Sequence, residues 1–129
     1  MTVYSTKYRG SREYLLVFCK LIAAARGRST VSYQQVAKIM GLRSSGNYMQ
    51  REVGQMLGEI SQDEHEHRRP MLTSIAVNTR GFAGSGLYVL ARELGKLKES
   101  TPEGERRFWE AEKAAVYATW QTDLQERET

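Results

Sequence analysis

The feature that most constrains this chain is a threefold recurrence in its first half. Apolar residues return at the helical spacing three times, and each run sits between a capping residue and a stop. The first run begins at Ser11, a residue type that caps helix N-termini. It continues through Tyr14, Leu15, Phe18, Leu21, Ile22 and Ala25 and stops at Gly27. After a short extended Thr30-Val31-Ser32, the second spans Tyr33 to Met40, with Val36, Ala37, Ile39 and Met40 inward and Gly41 as its stop. A polar turn, Arg43 to Asn47, leads to the third, about Tyr48 to Ile60, with Met49, Val53, Met56, Leu57 and Ile60 on one face. A short helix, a turn and a longer helix form the outline of a helix-turn-helix.

The second half is less regular. Gln62 to Arg69 reads as a charged loop and Met71 to Val77 as a strand, with Ile75 and Val77 alternating against Ser74 and Ala76. Asn78 to Gly86 is glycine-rich and must turn, and Leu87 to Leu97 reads as a short helix. Thr101-Pro102-Glu103 combines a cap, a proline for the first turn and an acid at the positive end of the helix dipole. It opens a last helix, about 102–124, that carries Phe108, Trp109, Ala115, Val116, Trp120 and Leu124 on its packed face. Trp109 and Trp120 share that face, so core packing competes with a protein or homodimer interface for them. The expected fold is mainly α with a short β element: a winged-helix-like helix-turn-helix core plus a C-terminal helix. Residues 1–10 are expected to be a flexible arm, and 11–129 a single domain.

The 129 residues suffice for one core without disulfides, and the lone Cys19, inside an apolar helical run, reads as a small core residue of a reducing compartment. Met1 to Arg12 contains no apolar signal core, and no run reaches the roughly 18 apolar residues of a membrane span. The expected setting is the cytoplasm, with no membrane contact. The charge is uneven: residues 1–58 hold nine Lys/Arg against two Asp/Glu, and residues 59–129 hold ten against thirteen. A basic half of this kind suits a polyanionic partner.

Thr30 to Gly54 reads Thr-Val-Ser-Tyr-Gln-Gln-Val-Ala, then a turn, then Arg-Glu-Val-Gly. This stretch resembles the DNA-binding half of the alkylguanine-DNA alkyltransferases and their catalytically inactive alkyltransferase-like relatives. In that family a T-V-S-Y-x-x-[VL]-A stretch precedes a recognition helix bearing R-A-V-G, a Pro-Cys-His-Arg active site and a glycine-rich wing. The resemblance covers roughly Glu13 to Leu97. It matches Tyr33 to the family tyrosine, Arg51 to the intercalating arginine, Pro70 to the proline before the strand, and Gly81 to Gly86 to the wing. Ala76-Val77-Asn78-Thr79 stands near the place of Pro-Cys-His-Arg, so the acceptor thiol and its activating histidine are missing. The resemblance therefore implies DNA docking without alkyl transfer. Its expected contacts are Tyr33, Gln34, Lys38, Arg43, Asn47, Tyr48, Gln50 and Arg51, with no catalytic residue, metal or cofactor.

Two rivals belong to other classes. One is a small interaction or inhibitor protein presenting the glycine-rich turn and the acidic segment Asp63 to Glu66, with Phe82 either an anchor or folded back. The other is a metal-dependent hydrolase built on Asp63-Glu64-His65-Glu66-His67. His65 and His67 would share a side only on an extended backbone, and the helical zinc motif needs histidines four apart. Gly81 to Gly86 also lacks the parallel βαβ setting of a dinucleotide fingerprint.

Overall fold

The computed structural model describes residues 4–121. Residues 1–3 of the predicted arm, and Leu124 with the end of the predicted last helix, lie outside the described residues. The elements run α1 (Arg12–Arg26), β1 (Val31–Ser32), α2 (Tyr33–Ile39), α3 (Asn47–Glu66), a 3-10 turn (Leu72–Ile75), β2 (Ala76–Val77), α4 (Ser85–Glu93) and α5 (Pro102–Trp120). The protein is thus mainly helical with a short β element.

Local chemistry accounts for the helix starts. The Ser11 side chain accepts from the Tyr14 N–H, and Thr101 accepts from Gly104 with Pro102 in the first turn. Ser32 and Gln35 form a reciprocal capping box, which explains how a helix of two turns holds its place. Gly41, at φ +76°, then closes α2, and the Leu42 N–H returns to the Ala37 carbonyl.

The main core joins Val17, Leu21 and Ala25 of α1, Val36 and Ala37 of α2, Met49, Val53, Met56, Leu57 and Ile60 of α3, Leu72 and Ile75, and Val116 of α5. A smaller cluster of Met71, Leu90, Ala91 and Leu97 seats α4, with Tyr4 and Phe108 against it. β1 and β2 pair in parallel, Val31 with Ala76 and Ser32 with Val77, and α2 and α3 form the crossover between them.

Four expectations are corrected. The third helix does not stop at Ile60: it runs to Glu66 and takes in most of the segment read as a charged loop. Its extension is polar yet packed, because Gln62 and Glu64 are buried and each meets a specific partner. The predicted strand Met71 to Val77 is a 3-10 turn followed by two strand residues, all buried. Residues 4–10 do not hang free: the backbone N–H groups of Lys7, Tyr8 and Arg9 all donate to the buried Glu59 carboxylate, at 3.0–3.2 Å. Cys19 is exposed, as are Leu15 and Leu16, so the outer face of α1 is more apolar than its period suggested. Among the described residues, no helix is long and apolar enough to cross a membrane.

Candidate functional site

The turn between α2 and α3 and the first residues of α3 bring Arg43, Asn47, Tyr48, Gln50 and Arg51 together in an exposed segment. Gly46, at φ +101°, precedes α3 and offers no side-chain cap, so the first turn of α3 faces outward with its N–H groups uncapped by any side chain. Asn47, Tyr48, Gln50 and Arg51 on that turn are exposed, as are Lys38 and Arg43 before it. Lys38 and Arg43 form no ion pair with any described residue. The Arg51 guanidinium lies 5.4 Å from the centre of the Tyr48 ring, a cation–π arrangement that extends it along the helix surface. Its Nε is 3.6 Å from Oε2 of Glu52, a loose pairing with a buried carboxylate.

Tyr33 and Gln34 sit differently. They line a cleft of about 500 Å³ beside α3, which Ser44, Ser45, Gly46, Gln50 and Gly54 border on one side. The opposite side is the glycine-rich loop: Asn78, Thr79, Gly84, Ser85 and Gly86. Among the described residues, no Asp, Glu, Lys or Arg lines it. The Tyr33 hydroxyl accepts from the Gly84 N–H at 2.6 Å, so it ties this loop to α2 instead of standing free for a phosphate. Burial raises its pKa, against the opposing pull of that N–H. The loop's own shape comes from Asn78, whose side-chain oxygen accepts from the Arg80 and Phe82 N–H groups. At the inner end, Tyr4 lies over Gly58, and Ser61 and Thr73 hydrogen-bond to each other.

Sequence reasoning overlooked Tyr4, Lys7, Glu52, Gly54, Gly58 and Asn78. One signal was present. Gly54 and Gly58 are four apart inside a helix, hence on one face, and two helix-weakening residues on one face mark a close approach or an opening. Tyr4 and Lys7 carry no such signal, because their partners are more than forty residues away in sequence.

The acidic segment is dispersed by its helix. Asp63 accepts from Arg9 at 2.8 Å and from the Tyr14 hydroxyl. Glu64, fully buried, takes Arg69 through Nε at 2.8 Å and a terminal nitrogen at 2.7 Å. His67 turns its ring back to the Asp63 carbonyl. Among the described residues, no group of three or more His, Cys, Asp or Glu is placed to hold a metal ion. Of the surface expected of an interaction protein, Thr79 to Phe82, Ser85, Gly86 and Glu66 are exposed, while Asp63 and Glu64 are paired. Phe82 packs 5.7 Å from the Trp109 ring, with the Arg106 guanidinium 5.6 Å from its own ring centre, which leaves it half-exposed and folded back on α5.

No family model, no curated protein and no solved structure matches this chain.

Proposed function

We propose that the protein binds nucleic acid, DNA foremost, through the α2–turn–α3 unit, without chemistry of its own. The observation that carries this reading is the exposed edge at the start of α3. It combines an exposed cation (Arg43), amides (Asn47, Gln50) and an arginine stacked on a tyrosine (Arg51, Tyr48), with a second exposed cation, Lys38, in α2. Cations placed this way neutralise phosphates, while Arg, Asn and Gln are the side chains that read base edges. The reading includes a winged-helix-like arrangement, with Gly81 to Gly86 as the wing. It also includes the resemblance to the alkyltransferase-like DNA-binding half. A cytoplasmic setting belongs to the same reading.

The cleft adds to it. Its uncharged lining, in which apolar Met49, Val53, Leu57, Leu87 and Leu90 stand with Gln34, Gln50, Asn78 and the Tyr33 ring, suits a planar, neutral group. An unpaired or unstacked base is the part of a nucleic acid with that character.

Fluorescence anisotropy with labelled duplex across a salt series tests the proposal. Arg51→Ala should weaken binding by about 1–3 kcal/mol, and Lys38→Ala and Arg43→Ala should each flatten the salt slope by about one unit. A duplex holding one unpaired base should bind more tightly than its fully paired counterpart. Wild-type protein that fails to bind either duplex at low salt sinks the reading.

A further inference from the structure

The N-terminal arm reaches the site through one carboxylate. Glu52 is adjacent to Arg51 on α3, and its side chain is 5% exposed. Its Oε1 accepts from Lys7 Nζ at 2.5 Å and from the Tyr8 hydroxyl. Its Oε2 faces Arg51 at 3.6 Å, too far for a full hydrogen bond. The two cations compete for one anion, and the arm has the closer hold. Lys7 keeps that hold because the arm's backbone is anchored elsewhere. Glu59 takes the N–H groups of residues 7 to 9, Arg9 pairs with Asp63, and the Ser5 carbonyl accepts from Gln55.

Arg51 without Lys7 would face, at 3.6 Å, a carboxylate held by the Tyr8 hydroxyl alone and no longer shared with a second cation. A guanidinium beside such a group closes onto it and forms a charge-assisted bond. The edge of α3 would then lose its mobile arginine and one positive charge, leaving Lys38 and Arg43. With Lys7 in place, two cations share one carboxylate, and the excess charge is on the more exposed partner: Arg51 is 69% exposed, Lys7 53%.

We propose that Lys7, seconded by Tyr8, is a positioning residue that occupies Glu52 and so keeps Arg51 available to the ligand. This rests on the nucleic-acid reading for its consequence, though not for its geometry. The arm is therefore part of the binding face, and its docking on α3 sets the strength of that face.

The test uses the full chain with Lys7→Gln, Lys7→Arg, Glu52→Gln and the double variant Lys7→Gln/Glu52→Gln, each checked for an unchanged fold by circular dichroism. The first readout needs no ligand. The Arg51 Nε–H proton, followed by NMR, should exchange several-fold more slowly in Lys7→Gln as Glu52 closes on it, and should return to wild-type exchange in Lys7→Arg. The second readout is duplex affinity. Lys7→Gln should lose about tenfold, and the double variant should recover most of that loss, because the competing anion is gone. Arg51 exchange that is unchanged in Lys7→Gln overturns the proposal. So does an affinity loss that Glu52→Gln fails to rescue and that comes with a salt slope shallower by about one unit, which marks Lys7 as a simple phosphate contact. If wild-type protein binds no duplex, the function falls while the Arg51 signal still decides the positioning role. Should Lys7→Gln unfold, Tyr8→Phe removes the second donor to the same oxygen and is expected to shift Arg51 exchange in the same direction; no shift there also overturns the proposal.

Discussion

At the scale of single residues, the glycines of α3 separate fold from function. A glycine inside a helix costs about 1 kcal/mol relative to alanine. At Gly54 a Cβ would meet nothing within 4 Å, so no neighbour in the fold demands the glycine. Gly54 does line the cleft. Gly54→Ala should therefore stabilise the protein by about 0.5–1 kcal/mol and raise the melting temperature by a few degrees, while narrowing the cleft and weakening ligand binding. Gly58 is the contrasting case. There a Cβ would stand 2.5–2.6 Å from three atoms of the Tyr4 ring, so Gly58→Ala must unseat Tyr4. Its helix gain is offset by the lost packing, and the melting temperature should fall or stay level. Gly84→Ala brings a Cβ within 2.9 Å of the Tyr33 hydroxyl, which should release the loop from α2 and show as faster amide exchange from Asn78 to Gly84. A melting temperature that rises equally for Gly54→Ala and Gly58→Ala would remove the distinction.

At the scale of elements, α3 shows what periodicity can and cannot reveal. Its first half is written in Met49, Val53, Met56, Leu57 and Ile60, and that half was legible, as were the caps of α1, α2 and α5. Its second half is written in Glu59, Gln62, Asp63 and Glu64, residue types that normally face water. They are packed because specific partners satisfy them, most of them distant in sequence: the arm for Glu59 and Gln62, Arg9 and Tyr14 for Asp63, and the nearby Arg69 for Glu64. No local pattern announces such pairing, so a helix end was read where a polar core begins. The exposed edge at Asn47 to Arg51 was equally legible, since it needs only one turn and one helix start. The cleft was not, because its lining is gathered from five separate stretches of chain between Tyr4 and Leu90. Glu59→Ala tests the polar half directly. It removes the acceptor shared by three backbone N–H groups and the Gln55 amide. Unpaired buried donors cost about 1–3 kcal/mol each, but the arm can reach water by undocking, which caps the penalty at a few kcal/mol. Exchange should accelerate at Lys7 to Arg9 and leave Val17, Met56 and Ile60 protected.

At the scale of the whole molecule, charge ties stability to binding through the arm. Glu52 and Glu59 both have pKa values below the ordinary 4.5. For Glu52 the bonds from Lys7 and Tyr8 outweigh burial. For Glu59 burial pushes upward, and the bonds from Gln55 and from the backbone of residues 7 to 9 win. A depressed carboxylate contributes stability that is fully present above its unfolded value and is lost as pH falls through the folded one. The arm's docking should therefore be constant above about pH 4.5 and weaken below it, while the apolar core persists to lower pH. The alkaline side has the opposite sign. Tyr8 and Tyr14 have pKa values raised above 10.0, by burial first and then by donating to Glu52 and Asp63, so their contribution is full below pH 10.0 and declines above it. Amide exchange at residues 4–10 against pH should thus show a plateau bounded by an acid limb, with the core amides changing later. Acid should also protonate Glu52 itself, the group that competes for Arg51. Two effects then oppose each other in duplex binding. Losing the arm removes Lys7 from the face, and neutralising Glu52 releases Arg51. If Lys7 acts through Glu52, the two cancel, and affinity should hold through the pH range in which the arm undocks. If Lys7 touches phosphate directly, affinity should fall in step with arm exchange.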